Sequence, residues 1–314
     1  MTLANQSLPI NPLPPENRRL MLKPGLLADE SVDLFLRDTA PEQRMAATDN
    51  VFAGSVPEIY ERFLVPLIFE PYARDLAGRL AKTKPQDVLE TAAGTGVLTR
   101  AVASQLPAHA RIVATDLNQP MLDHAGARLP HDGRIEWRQA DALALPFADQ
   151  SFDVVACQFG AMFFPDRPLG YKEARRVLRP GGHFFANVWD RISENEFADV
   201  VTQALATLFP HDPPRFMARV PHGYHDVEQI RRDLKAAGFD NVSLDAVDAI
   251  SKAASARDPA IAYCQGTPLR NEIVARDASK LEEATRKAAE ALAERFGTGA
   301  IEGRIRAFVI NASR

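Results

Sequence analysis

The run Asp87-Val88-Leu89-Glu90-Thr91-Ala92-Ala93-Gly94-Thr95-Gly96 constrains this chain more than any other segment. An apolar strand leads straight into a glycine-bearing turn, and the residues from Val97 onward open a helix. The two glycines let the backbone turn tightly and bring unpaired N–H groups close to a ligand, while the helix points its positive end at the same place. Such a turn holds a nucleotide-sized ligand and, by itself, leaves that ligand unnamed.

Two later acids narrow the reading. Ile112-Val113-Ala114-Thr115-Asp116 reads as a second buried strand ending in a carboxylate, which falls where a ribose would lie if the two strands are parallel neighbours. A carboxylate there can accept from both ribose hydroxyls. Asp116 could instead cap the helix opening at Gln119-Pro120-Met121. Asp141, ahead of Leu145-Pro146-Phe147 and the strand Phe152-Asp153-Val154-Val155-Ala156-Cys157, sits at a third strand end and could accept from the exocyclic amine of adenine. Asp149 and Asp153 lie nearby, and either could be a turn residue.

Four segments, in order and roughly in spacing, give the chain a family resemblance: Leu89 to Gly96, Thr115-Asp116-Leu117-Asn118, Ala140-Asp141-Ala142-Leu143-Ala144-Leu145-Pro146-Phe147, and Arg175-Arg176-Val177-Leu178-Arg179-Pro180-Gly181-Gly182. Together they resemble the class I S-adenosylmethionine-dependent methyltransferases, particularly the ubiquinone and menaquinone biosynthesis type. The resemblance implies an α/β fold: a Rossmann-like, seven-stranded mixed sheet, mostly parallel, with helices on both faces and a helical cap. Its last strand would enter antiparallel between strands five and six. S-adenosyl-L-methionine would be the cofactor, S-adenosyl-L-homocysteine the product, and a small molecule the acceptor of an in-line methyl transfer.

By the same resemblance, Glu90 would face the methionine ammonium directly or through water, and Gly94, Thr95 and Gly96 would allow close approach. Asp116, beside Leu117 and Met121, would hold the ribose; Asp141 and Ala142 would frame the adenine; Gln158 and Phe159 would lie near the sulfonium and its methyl. Tyr60 either touches the methionine end or packs in the core with its hydroxyl at the rim. Ala92 stands where the family has its first glycine, and its methyl should be tolerated if φ there is negative.

Strands at 87–90, 112–115, 135–138, 152–157 and 183–188 alternate with helices near 97–106, 119–128 and 169–178, the rhythm of a parallel sheet. Gly181-Gly182 supplies the turn before the fifth strand. Further helices fit 195–208 and 227–237, the second behind Asp226 and Gln229 and stopped by Gly238; strands fit 242–247 and 305–310.

Three regions follow: a flexible proline-rich arm at 1–25, an N-terminal helical cap at 26–80, and the methyltransferase domain at 81–314. One or two short helices fit Asp29 to Met45. Ser55-Val56-Pro57-Glu58 looks like a capping box for a helix that Pro66 and Pro71 then disturb. An insertion at about 250–303 separates the last two strands. Within it Leu281, Ala284, Ala288, Leu292 and Phe296 recur at helical spacing, as core or cap packing or as a homodimer contact.

Composition adds exclusions. A net charge of −4 over 314 residues gives no electrostatic footprint for nucleic acid. Cys157 and Cys264 are the two cysteines, which points to reduced thiols rather than a disulfide or zinc framework. No apolar run reaches membrane-spanning length and no secretory segment appears, so a soluble, cytoplasmic protein is expected.

The acceptor site is the least defined. Pro221-His222-Gly223-Tyr224-His225-Asp226 is the densest polar aromatic cluster outside the cofactor motifs. His222 and His225 are candidate general bases, or else exposed histidines around a turn; with no third ligand nearby they make no metal pair. Phe163, Trp189 and Tyr224 are candidate pocket residues. An NAD-dependent oxidoreductase is the competing enzyme class, but its G-x-G-x-x-G fingerprint needs Gly or Ala where Thr99 stands. A non-catalytic regulator that binds S-adenosylmethionine is the other alternative, kept open by Ala92 and the long arm.

Overall fold

The computed structural model describes Asp49, Phe52, Gly54, residues 56–129 and residues 132–314. The expectations for the arm at 1–25, for helices from Asp29 to Met45 and for Ser55 as a cap lie outside the described residues.

The first described helical run passes through both prolines expected to disturb it. It comprises α1 (Val56–Ile59), a π-helix (Tyr60–Phe69) and α2 (Glu70–Ala81). A proline removes a donor and crowds the carbonyl four residues back, which an α-helical interior does not tolerate. Around Pro66 the chain instead widens to five-residue spacing, with the Glu70 N–H donating to the Val65 carbonyl. Pro71 falls in the first turn of α2, where the φ fixed by its ring is already helical.

Strand and helix then alternate: β1 (Asp87–Glu90), α3 (Val97–Gln105), β2 (Arg111–Asp116), α4 (Gln119–Arg128), β3 (Ile135–Gln139), β4 (Phe152–Gln158), α5 (Arg167–Val177) and β5 (Leu178–Trp189). Helices α6 (Glu196–Leu208), α7 (Phe216–Arg219) and α8 (Val227–Ala236) lead to β6 (Asn241–Ala253). Helices α9 (Arg257–Gln265), α10 (Leu269–Arg276) and α11 (Leu281–Phe296) precede β7 (Ile301–Ser313). The sheet order is β3-β2-β1-β4-β5-β7-β6, seven strands in all, and β7 pairs antiparallel with both neighbours. The mixed sheet expected from the resemblance is therefore the one observed.

Adjacent residues on a strand point to opposite faces, and along β1, β2, β4 and the second half of β5 both faces are buried, so those strands read as nearly continuous apolar runs. Leu89, Val113, Val155 and Phe184 belong to one core; Val88, Ile112, Val154 and Phe185 pack with Leu76, Leu80, Leu98 and Val102 in the other. Within the expected cap region, α2 therefore contributes to the sheet's own core. The Tyr72 hydroxyl donates to the Val247 carbonyl at 3.1 Å and fixes α2 against β6.

The last two strands are longer than their apolar runs suggest. They form one ladder from Asn241 opposite Ser313 to Ala253 opposite Ile301, so the intervening segment is 254–300. In β7 the buried Ile301, Gly303 and Ile305 alternate with the outward Glu302 and Arg304, a period-two signal that an apolar run hides. The stripe on α11 is internal: Ala284, Ala288 and Leu292 are fully buried and Phe296 packs edge-on against Phe197 at 5.1 Å. It therefore serves this chain's packing.

Candidate functional site

The carboxyl ends of β1, β2 and β4 meet at the loop 91–96. Two ladder-like bonds pin this loop: the Thr91 N–H donates to the Ala156 carbonyl at 2.8 Å and the Ala93 N–H to the Thr115 carbonyl at 2.9 Å. Ala92, caught between them, has φ +54°, so the negative φ on which easy tolerance of its methyl depended is not the one adopted. The left-handed region costs a residue with a Cβ about 1–2 kcal/mol, and the pinned neighbours hold it there. Its methyl packs over Gly160, where any Cβ would collide with Ala92 and come within 2.9 Å of Cys157 Sγ. Gly96 has φ +79° and begins α3; a Cβ there would lie 2.8 Å from Trp137 Cη2.

Asp116, at the end of β2, is 7% exposed. Its Oδ2 accepts from the Gly94 N–H at 2.9 Å and its Oδ1 from the Asn118 N–H at 2.8 Å. Burial pushes its pKa up, against the pull of those N–H groups. It does not cap α4, whose cap position is Asn118. Asp141 Oδ1 accepts from the Leu143 N–H at 2.9 Å, and the Ala140 N–H donates to the Asp116 carbonyl at 3.0 Å, tying the third loop to the second. The competing acids stand elsewhere: Asp149 pairs with Arg176, and Asp153 accepts from the Gln86 and Asp87 N–H groups.

These loops enclose a cavity of about 270 Å³ lined by Tyr60, Ala92, Gly94, Asp116, Leu117, Met121, Asp141, Ala142, Gln158, Phe159 and Phe163. Eleven residues proposed from sequence thus converge on one space. Phe52, Asn118, Leu143 and Gly160 also line it and were not foreseen; Asn118 and Gly160 each sit within two residues of a motif position that was. Glu90, Thr95 and Gly96 lie behind the lining. Glu90 is buried, its Oε2 accepts from Thr99 Oγ1 at 2.6 Å, and burial raises its pKa to about 8. Thr99, standing where a dinucleotide fingerprint needs Gly or Ala, is thereby committed to the core.

Tyr60 stacks on Phe69 at 5.1 Å, and its hydroxyl would lie 4.0 Å from a Cβ on Gly94. Behind it, the buried Glu61 Oε1 meets Arg100 Nη2 at 2.9 Å and Arg128 Nε at 3.1 Å, while Arg100 Nη1 donates to the Thr95 carbonyl at 2.7 Å. One carboxylate ties the π-helix, the glycine loop and α4 together behind the cavity. Gln158 Nε2 donates to the Phe69 carbonyl at 3.1 Å.

Trp189 stacks on Phe159 at 3.8 Å and lines a second, apolar chamber of about 60 Å³. The remaining candidates are placed apart from the main cavity. Tyr224 donates to Asp233 Oδ2 at 2.7 Å inside a buried network. His225 Nδ1 lies 2.8 Å from the His222 carbonyl, and His222 is buried beyond Trp189 with its pKa lowered to about 4 by burial. Cys157 and Cys264 are both buried free thiols. Among the described residues no group of three or more His, Cys, Asp or Glu could hold a metal ion, and no helix is long and apolar enough to cross a membrane.

A methyltransferase domain model matches residues 89–186. Demethylmenaquinone methyltransferase of Clavibacter sepedonicus is 40% identical over 172 residues, 52% of this chain and 69% of that protein. The chain belongs to the class I S-adenosylmethionine-dependent methyltransferases. The ubiquinone/menaquinone biosynthesis C-methyltransferase of Serratia proteamaculans is 28% identical to this methyltransferase over 232 residues, 68% of the chain and 91% of the relative. Phosphoethanolamine N-methyltransferase 2 of Haemonchus contortus, solved with S-adenosyl-L-methionine, shares the fold at a TM-score of 0.51 and 18% identity, over 82% of this chain and 56% of its own. The methyltransferase uses S-adenosylmethionine to methylate a small-molecule acceptor. The observed cavity fits that cofactor: a glycine loop whose backbone borders the space, a buried carboxylate at the end of β2 and a second acid one loop away, all on one rim.

Proposed function

We propose that the acceptor is a neutral, largely apolar ring compound held in the chamber beside the cavity, with Tyr60, Gly94, Asp116, Asp141 and Gln158 holding the cofactor next to it. One observation carries this reading. The chamber shares Phe52, Tyr60, Phe159 and Phe163 with the cofactor cavity, and continues along Leu64, Ile68, Phe69, Trp189, Phe216 and Met217 without a charged side chain. The π-helix supplies one wall and Thr267 with Pro268, from the segment before β7, another, which supports a roof built from the N-terminal helices and the late insertion. The relatives' printed roles in ubiquinone and menaquinone biosynthesis are compatible with an acceptor of this character.

Bound S-adenosylmethionine supplies an electrophilic methyl on a good leaving group. The chain's part is alignment and exclusion of water, and positioning alone accounts for a large share of such rates. Asp116 keeps lone pairs for the ribose hydroxyls while its two N–H bonds hold the loop in shape. Asp141 offers its second oxygen to the adenine amine. The Tyr60 hydroxyl, kept protonated by burial and by the nearby Asp116 charge, is a donor over the methionine end and not a base. Phe159 and Trp189, stacked on each other, form an aromatic wall of the chamber.

The test pairs calorimetric titration of S-adenosylmethionine, S-adenosylhomocysteine and NAD with turnover on matched acceptors. Binding of the first two without NAD, and methylation of neutral ring compounds over amines and carboxylates of similar size, is expected. Preferential methylation of a charged acceptor would overturn the proposal.

A further inference from the structure

The apolar chamber does not end the path inward. Ile68, Trp189 and Met217 line it and also line a smaller cavity beyond, completed by Asn195, His222, Tyr263 and Ile305. At about 10 Å³ this inner cavity holds roughly one oxygen-sized group. His222 and Tyr263 are 4% and 2% exposed. His222 Nδ1 lies 2.9 Å from the Asp190 carbonyl; a carbonyl only accepts, so Nδ1 carries the hydrogen and Nε2 presents a lone pair.

Neither His222 Nε2 nor the Tyr263 hydroxyl has a hydrogen-bond partner among the described residues. Asn195 does not serve them. Its Nδ2 reaches the Asp190, Arg191 and Arg306 carbonyls, and its Oδ1 accepts from the Arg306 N–H. Buried polar groups are ordinarily paired, so an acceptor lone pair and a phenolic donor facing one small space call for a guest that both accepts and donates. A hydroxyl does both. A carboxylate finds no cation, since no Lys or Arg lines either cavity and burial keeps the imidazole neutral.

We propose that His222 and Tyr263 form an uncharged recognition pole that reads a hydroxyl on the far end of an otherwise apolar acceptor, whose body fills the chamber. The inference rests on that chamber being the acceptor site. Of Ile68, Trp189 and Met217, which line both spaces, Met217 is unbranched and flexible and is the side chain best able to move aside. His222 thereby acts in specificity and not as the base that its sequence context suggests.

The test uses the full chain loaded with S-adenosylhomocysteine and three probes of one shape: 4-ethylphenol, ethylbenzene and 4-ethylbenzoate, followed by ligand-observed NMR. The phenol should bind about fivefold or more tighter than the hydrocarbon, the scale of one neutral hydrogen bond, and the carboxylate weakest. Tyr263→Phe removes a single oxygen, and with it one of the two hydrogen bonds, and should cut the phenol's advantage several-fold while leaving ethylbenzene and S-adenosylhomocysteine binding unchanged; His222→Leu should do the same, and the double variant should reduce the phenol to the hydrocarbon's affinity. A phenol with no advantage in the parent, or an advantage undiminished by Tyr263→Phe, refutes the pole. In crystals soaked with 4-ethylphenol, its oxygen between the two side chains supports the pole, and a lone water there with the probe elsewhere overturns it. If the parent fails to bind S-adenosylhomocysteine, the reading of the cavity fails instead.

Discussion

Asp116→Ala separates two roles that the structure gives to one carboxylate. In the free protein the side chain accepts two backbone bonds, from Gly94 at 2.9 Å and Asn118 at 2.8 Å, which hold the glycine loop and the start of α4 to the end of β2. Bonds to a charged acceptor contribute about 1.5–3 kcal/mol each, but the freed N–H groups border the cavity and can be rehydrated there, so a net loss of about 1–3 kcal/mol in folding stability is expected. Loss of the ribose contacts should weaken cofactor binding by a similar about 1–3 kcal/mol, or roughly 5- to 150-fold. Thermal denaturation without cofactor reads the first effect. Calorimetric titration with S-adenosylhomocysteine, at a temperature where the variant is fully folded, reads the second. A variant that melts earlier yet binds with the parent's Kd would show the carboxylate to be a loop staple alone and would refute the ribose assignment.

Two further substitutions test the surroundings. Gly96→Ala places a Cβ at φ +79° and 2.8 Å from Trp137 Cη2; about 1–2 kcal/mol of backbone strain plus about 1–3 kcal/mol of overpacking should lower the melting temperature, and an unchanged melt would contradict the packing described. Glu90 has its pKa raised by burial from 4.5 to about 8, so the folded chain retains a proton that the unfolded chain releases. Its contribution to stability is therefore full below about pH 4.5 and is lost as pH rises toward about 8. Glu90→Gln should flatten the melting temperature over that window, and a slope identical to the parent's would exclude Glu90 as its source.

The cofactor cavity was legible in sequence because its parts are local. Each of Gly94, Asp116 and Asp141 stands at the end of a strand, and a parallel sheet brings those ends together without further information. What required the structure was either a torsion or a long-range meeting. The sign of φ at Ala92 depends on bonds to Ala156 and Thr115 on two other strands. The chamber draws Leu64, Phe216 and Thr267 from segments far apart in sequence, with no shared motif. His222 carries the signature of a base in a polar loop, but only the fold puts Trp189 between it and the cofactor cavity.

The wide winding from Tyr60 to Phe69 has a consequence for how this protein can change. Nine positions along an α-helix make about two and a half turns and leave the end residues on opposite sides, whereas the looser coil brings them to nearly two whole turns. That phase is why the Tyr60 and Phe69 rings lie face to face. Conservative replacement of the side chains that face the chamber, Tyr60, Leu64, Ile68 and Phe69, would retune which molecules enter. Adding or deleting a single residue would rotate one ring out of register with the other, so diversification here is confined to side chains and closed to changes in length.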